Sequence, residues 1–363
     1  MNFKWENAFS KTLLSCVAVL GLSTQLSAAP DRSMHKEKPN FAFAYPKDMN
    51  LANPIDLYFY VEGLAFQGMQ TGLDFVLVNK NAPGATAINA TVGGFGQNES
   101  WGYNFGSRVG IGAYVPHDAW NIDFDWMWLN ATDAESYEAG AGATLPTLLA
   151  DNGNGTSPYL SYGSSGATWQ CIFNVLDATL GKPYHISRKV IFNPHFGLRF
   201  AWIDQEYGVN YGGKTIASQA TPIKYKAEND FWGVGARVGV NTDWLLGYGF
   251  KIFTNLSSSI LAGWFDNTIQ YGTTAIETVT LSSNPQVIVP NLELAAGFDW
   301  GTTLGNCGGY YLDFRAGYEF QIWWDQWNTR QFVTGAADGN FNNVPSYGNL
   351  SLNGFTFKVQ LDM

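Results

Sequence analysis

The end of the chain alternates strictly between apolar and polar side chains. From Phe355 to Met363, every odd-numbered residue is apolar and every even-numbered residue is polar. A period of two places one set of side chains on each face of a β-strand. The same pattern recurs in many upstream segments. A long series of such strands behind a secretory leader predicts an all-β, antiparallel transmembrane β-barrel, with lipid outside and water inside.

The first 29 residues have the features of a secretory signal peptide. Basic residues flank the start of the short apolar stretch Leu13 to Leu22, and Ser27-Ala28-Ala29 offers small residues for cleavage. Cys16 would suit a lipoprotein signal, but most of the apolar run follows it, which favours ordinary cleavage. The predicted organisation is a signal peptide over 1–29, a polar, proline-rich periplasmic lead-in over 30–54 and one outer-membrane barrel over 55–363.

The composition favours a membrane barrel over a soluble domain. Charged residues make up 14% of the chain, against about 25% in soluble domains. No stretch of 18 apolar residues is present, so we expect no transmembrane helix. A barrel can place 14 Trp, 18 Tyr and 25 Phe in lipid and at its two interfaces. The candidates for interfacial girdles are Trp101, Trp126, Trp128, Trp232, Trp244, Trp264, Trp323, Trp324 and Trp327.

The charge balance bears on partners. The chain carries a net charge of −10 and has no run of basic residues, which argues against nucleic acid. The expected partners are outer-membrane lipid and small hydrophilic solutes or ions, and a homo-oligomer stays open. The expected location is the bacterial outer membrane.

Ten segments alternate clearly enough to be predicted as strands. Several exceed the roughly 9–11 residues that a tilted strand needs in lipid, so counts of up to 16 stay open. Short connections alternate with long ones rich in Gly, Asn, Ser and Thr, as periplasmic turns and extracellular loops do. The predicted strands are 57–79, 98–114, 118–133, 167–182, 188–207, 227–246, 249–270, 287–301, 309–328 and 347–363.

The second face of these strands carries charge. An arginine in lipid would cost about 2–4 kcal/mol at mid-bilayer, so the charged face is assigned to the lumen. Two interpretations stay open, a pore whose charges select solutes and a polar plug of Arg–carboxylate pairs that fills a narrow barrel. The pore-lining candidates are Arg108, Arg199, Arg237, Arg315, Asp123, Asp125, Glu293, Asp299 and Glu319.

The chain lacks the motifs of common enzymes. There is no Gly-x-Ser-x-Gly elbow, no His-Glu-x-x-His and no phosphate loop. We therefore expect no catalytic residues, no metal site, no cofactor and no enzymatic activity. Beyond the leader, Cys171 and Cys307 could form a disulfide, cross-link to neighbours or remain as thiols.

Several motifs in order resemble the major-outer-membrane-protein-like family of Legionella and the Chlamydia-like bacteria. The motifs are Glu62-Gly63-Leu64-Ala65-Phe66, Gly72-Leu73-Asp74-Phe75, Gly106-Ser107-Arg108-Val109-Gly110-Ile111-Gly112 with His117-Asp118-Ala119-Trp120, Pro194-His195-Phe196-Gly197-Leu198-Arg199, Phe231-Trp232-Gly233-Val234-Gly235-Ala236-Arg237, Gly317-Tyr318-Glu319 and Leu350-Ser351-Leu352-Asn353-Gly354. The resemblance implies an abundant outer-membrane barrel with a porin or envelope-scaffold role and no catalytic residues. Two features depart from it, the final Met363 in place of an aromatic residue and the low cysteine count.

The sequence therefore predicts a porin for passive diffusion of small hydrophilic solutes or ions. The alternative is a surface-exposed scaffold or adhesin that acts through long extracellular loops.

Overall fold

The computed structural model describes residues 56–79, 90–96, 101–115, 120–138, 144–146, 164–212, 223–273, 276–304, 310–334 and 341–363. The predicted signal peptide and lead-in lie outside these ranges. No helix among the described residues is long and apolar enough to cross a membrane. The strands are β1 (Asp56–Gln70), β2 (Val76–Asn79), β3 (Ala90–Gly93), β4 (Tyr103–Val115), β5 (Trp120–Glu138), β6 (Thr144–Pro146), β7 (Ser164–Gly181), β8 (Tyr184–Ser187), β9 (Val190–Gly212), β10 (Ile223–Gly247), β11 (Phe250–Thr273), β12 (Ile276–Ser283), β13 (Gln286–Leu304), β14 (Tyr310–Thr334) and β15 (Phe341–Asp362).

Ten long antiparallel strands close into a barrel. Going round the wall, they run β1, β4, β5, β7, β9, β10, β11, β13, β14 and β15, and β15 pairs back with β1. The short strands β8 and β12 pair only with β9 and β11 in the described part of the chain. Strands β2, β3 and β6 form a separate small sheet. The predicted ten-stranded barrel is confirmed.

The two ends of the barrel differ in their connections. At one end lie Asp56, Met363 and tight turns such as the β10–β11 turn, where Gly247, Tyr248 and Gly249 all have positive φ (108°, 54° and 84°). Positive φ at three successive residues is tolerated because two of them are glycine. In outer-membrane barrels the short turns face the periplasm. We call this the periplasmic end and the other the outer end.

The outward face is apolar only along part of each strand. Trp202, Trp232 and Trp264 lie side by side on β9, β10 and β11, and the last two rings stack with centroids 4.2 Å apart. Two residues further toward the outer end, the outward side chains are three aligned aspartates, Asp204, Asp230 and Asp266. Aromatic girdles mark the edge of the hydrocarbon layer, so these strands project beyond it. This projection explains why the predicted strands were longer than a membrane requires.

The row of aspartates should make stability depend on pH. Burial, followed by the neighbouring charges Asp204, Glu228, Asp266 and Glu206, raises the pKa of Asp230 to about 6. The folded state then holds a proton that the unfolded chain has already released, so stability falls as the pH rises from about 4 to about 6. Asp230→Asn should therefore stabilise the barrel above pH 6, by roughly 1 kcal/mol after allowing for solvent screening, and lose this advantage near pH 4.

Urea unfolding of Asp230→Asn and the parent protein at pH 4 and pH 7.5 measures this difference. Thr268→Asn, beside Glu228 on the same face, is the control because it removes no ionisable group. An equal advantage of Asp230→Asn at both pH values would contradict the expected linkage.

The polarity of the lumen changes at the same level of the barrel as the polarity of the outward face. On the periplasmic side of the tryptophan row the lumen is charged, and on the outer side it is filled by an apolar cluster that includes Phe173, Phe231 and Phe265. Trp323 and Trp327, predicted for the girdle, belong to this cluster, with 0% and 2% of their surface exposed. That part of the prediction is wrong. Trp323 continues the inward face of β14 that includes Gln321, and Trp327 lies in the lumen beyond the bulge in β14.

The first predicted strand was also too long. It ends at Gln70, and Gly72, with φ of 83°, turns the chain inward. Leu73 and Phe75 are then buried in the lumen, where their carbonyl oxygens accept hydrogen bonds from the hydroxyls of Tyr207 (3.0 Å) and Tyr211 (2.5 Å). This inward segment helps to close the outer half of the barrel.

Candidate functional site

A polar cavity of about 260 Å³ occupies the periplasmic half of the lumen. Nine carboxylates and six basic side chains line it. Eight of the nine predicted pore-lining residues are among them, and Asp299 is buried behind the surface with its carboxylate against Lys251 and Arg315. The structure thus brings the predicted residues into one chamber, which we call the vestibule.

One group of charges surrounds Arg108. This residue pairs in register with Glu62 on β1, and its Nη1 donates to Glu62 Oε2 at 2.6 Å. From across the lumen, Glu319 of β14 accepts from Nη2 at 2.7 Å, and Asp125 of β5 lies 3.8 Å from Nε. One guanidinium therefore connects four strands of the wall.

The second group is the most deeply buried. The guanidinium of Arg199 makes a two-pronged contact with Asp177 at 2.7 and 2.5 Å, donates to Asn291 at 2.6 Å and forms a close ion pair with Glu293. Arg237 shares both carboxylates, at 2.7 Å from Glu293 and 3.3 Å from Asp177. Two arginines and two carboxylates balance each other here, which is how buried charges are tolerated.

The third group lies near the periplasmic end. Lys251 is 2.9 Å from Asp313 and 3.3 Å from Asp299, and Arg315 is 2.9 Å from Asp299. The Arg315 guanidinium also lies over the ring of Phe253, 4.4 Å from its centroid.

Tyrosine hydroxyls hold a further acidic side chain, Asp123. Tyr58 and Tyr60 donate to the two oxygens of Asp123 at 2.7 and 3.2 Å. Their rings lie against Gly112 and Gly110 of β4, where a Cβ atom would overlap them. The glycines beside Arg108 therefore make room for tyrosines rather than for the arginine itself.

Several site residues were missed from the sequence. Glu62, Asp177 and Lys251 take part in the ion pairs, although none of them was among the predicted pore-lining residues. Their signal was the period of two, since each occupies an inward position of its strand.

Cys171 is a free thiol buried in the lumen, and Cys307 lies outside the described residues, so a disulfide stays a prediction. Within the described ranges, no group of three or more His, Cys, Asp or Glu is arranged to hold a metal ion.

Sequence comparison identifies the family. The family described as Legionella pneumophila major outer membrane protein precursor matches residues 59–363. The chain belongs to this family. It is therefore an outer-membrane β-barrel protein, located in the bacterial outer membrane, as the sequence predicted. No curated protein sequence matches the chain.

The matches to solved structures are weak. The outer-membrane protease OmpT of Escherichia coli is 9% identical with a TM-score of 0.37, and the match covers 87% of this chain and 99% of OmpT. The toluene transporter TodX of Pseudomonas putida is 10% identical with a TM-score of 0.32, covering 87% and 91%. A Pseudomonas aeruginosa FadL homologue is 6% identical with a TM-score of 0.22, covering 85% and 90%. At these values, the activities of the three proteins say nothing about this chain.

Proposed function

We propose that the protein is a porin that admits small hydrophilic solutes and ions and prefers cations. The observation that carries this proposal is the open, charged vestibule with nine carboxylates against six basic groups. A lumen with an excess of one charge, surrounded by an apolar wall, concentrates counter-ions.

One observation favours a second candidate. The outer half of the lumen is filled by apolar side chains, so the described conformation resembles a closed barrel. A barrel that stays closed would suit the envelope-scaffold role. The two candidates differ in whether this outer half ever opens, and ion conduction separates them.

Ion selectivity tests the cation preference. Asp123 and Asp243 face the vestibule without being the main partner of a buried arginine, so their replacement removes charge with little damage to the ion pairs. The double variant Asp123→Asn/Asp243→Asn should lower the cation-to-anion permeability ratio by at least about fivefold, because each unit charge a few Å away interacts with an ion by about 1 kcal/mol in water.

Reversal potentials of the refolded protein in a planar bilayer under a KCl gradient provide this measurement. Asp204→Asn/Asp266→Asn removes the same charge from the outer surface and should leave the ratio unchanged. A parent protein that conducts but prefers anions would contradict the proposed selectivity, and folded, inserted protein with no conductance would favour the scaffold.

A further inference from the structure

Strand β14 leaves the barrel wall in its outer half. Its pairing with β15 shifts between Trp323 and Trp327, and Asp325 within this bulge has a positive φ of 52°. Beyond the bulge, the four residues Gln326–Thr329 are at most 6% exposed and lie inside the lumen. A non-glycine residue with positive φ and a bulge are both devices that redirect a strand.

The strand leaves unpaired neighbours behind it. β13 pairs with β14 only as far as Asn291↔Trp323, so Gln286–Pro290 of β13 pairs with β11 alone among the described residues. On the other side, β15 pairs with β1 only as far as Leu350↔Gln70. The β14–β15 ladder that starts at Trp327↔Gly348 is therefore bonded to neither adjacent wall strand within the described ranges. We call the four buried residues Gln326–Thr329 of β14 the flap.

The flap is hydrogen-bonded to two members of a row of three aligned amide side chains. Gln205, Asn229 and Asn267 lie in direct cross-strand register on β9, β10 and β11, and each is at most 1% exposed. We call them the amide row. Asn229 donates to the Gln326 carbonyl at 2.8 Å and Asn267 to the Asn328 carbonyl at 2.5 Å. Two side chains thus replace the wall hydrogen bonds that the flap lacks.

The amide row is poorly satisfied in this arrangement. Among the described residues, Gln205 Nε2, Asn229 Oδ1 and Asn267 Oδ1 have no hydrogen-bond partner, and neither amide atom of Gln326 has one, although all of them are buried. Buried polar atoms without partners are destabilising, and apolar side chains would serve a permanently closed interior better. These amide atoms would gain hydrogen-bond partners if water reached the row in a second conformation of the barrel.

We propose that the amide row is the constriction of the pore and that the flap is its gate, an inference that rests on the proposed porin function. Displacement of the flap uncovers amide donors and acceptors with no net charge. They can hydrogen-bond to uncharged hydrophilic solutes and to hydrated ions alike. The row therefore favours small hydrogen-bonding solutes, and the vestibule sets the charge preference.

Removing the two hydrogen bonds to the flap should open the gate more often. Asn229→Ala/Asn267→Ala is expected to raise the open fraction of single-channel recordings roughly tenfold. Each of the two hydrogen bonds stabilises the closed state by a modest amount, and the variant removes both. The matched control Asn130→Ala/Asn174→Ala removes two asparagines from the outward face, at the level of Trp128, and should leave it unchanged.

A second variant avoids the buried residues. Asp325 is exposed, so Asp325→Val leaves core packing intact while placing a β-branched residue where φ is positive. Because this conformation is unfavourable for valine, the closed flap should be destabilised and the open fraction should again rise. Both variants are first checked for folding by their resistance to unfolding in SDS without heating.

Thiol labelling measures the motion independently of conduction. A cysteine at the fully buried position of Gln326 (Gln326→Cys) should react with a water-soluble maleimide several times faster in the Asn229→Ala/Asn267→Ala background than in the control background, above the rate of protein without the added cysteine. An unchanged labelling rate overturns the gate, whether or not the protein conducts. The gate is also overturned if the parent protein conducts and has the same open fraction as Asn229→Ala/Asn267→Ala and Asp325→Val. That result would not contradict the porin function. Faster labelling with no conductance in any variant supports a moving flap and overturns the porin function.

Discussion

Replacing Arg199 by methionine is expected to destabilise the barrel by about 3–5 kcal/mol, the cost of breaking a buried ion pair by removing one partner. Arg199 is 2% exposed and contacts Asp177, Glu293 and Asn291. Methionine fills similar space but leaves Asp177 and Glu293 with Arg237 as their one ion-pair partner among the described residues. Urea unfolding of the protein refolded into lipid vesicles measures the loss.

Two comparison variants make this test specific. Lys226 also contacts two carboxylates, Glu206 and Glu228, but its side chain is 40% exposed, so Lys226→Met should cost about 0–1 kcal/mol. Adding Asp177→Asn to Arg199→Met should restore part of the stability because only Glu293 then needs a cation. A loss for Arg199→Met no larger than that for Lys226→Met would show that the lumen is wet enough to solvate its charges.

A charge placed on the lipid face should lower the stability of the barrel about as much as the loss of a buried charge does. Ile111 faces outward on β4 between Phe59 and Phe124 and is 57% exposed, so Ile111→Arg places a guanidinium in hydrocarbon. The expected cost is about 2–4 kcal/mol if this position lies near the bilayer midplane. The measurement is the free energy of unfolding from lipid vesicles.

The matched control moves the same substitution beyond the tryptophan row. Thr268 faces outward on β11 beside Glu228, in the part of the strand that projects into water. Thr268→Arg should change stability by less than about 1 kcal/mol. Equal costs for the two arginines would contradict the placement of the membrane edge at Trp202, Trp232 and Trp264.

The sequence was sufficient to predict the barrel and its two faces. Strict alternation determines which side chains share a face, and the cost of charge in lipid determines which face is inside. The same reasoning could not identify partners, because they come from distant strands. Arg108 and Glu319 are 211 positions apart, and Arg199 and Glu293 are 94 positions apart.

The outer half of the barrel was less predictable for a physical reason. Beyond the tryptophan row the outward face is polar and the inward face is mostly apolar. Asp204 and Asp230 therefore continue the alternation along their strands, but as polar residues they face outward instead of into the lumen. The inward turn of β14 leaves almost no sequence signal, since Trp323 and Trp324 suit either an interface or a core. Only tertiary packing against Tyr207 and the amide row decides that Trp327 lies inside.

Osmotic swelling of proteoliposomes tests the central claim most directly, that this barrel is a closed but openable path for small hydrophilic solutes. Vesicles that contain the folded parent protein should swell in small sugars and in salts of small cations, and faster with Asn229→Ala/Asn267→Ala. Vesicles that stay sealed with both proteins, despite verified folding and insertion, would contradict it.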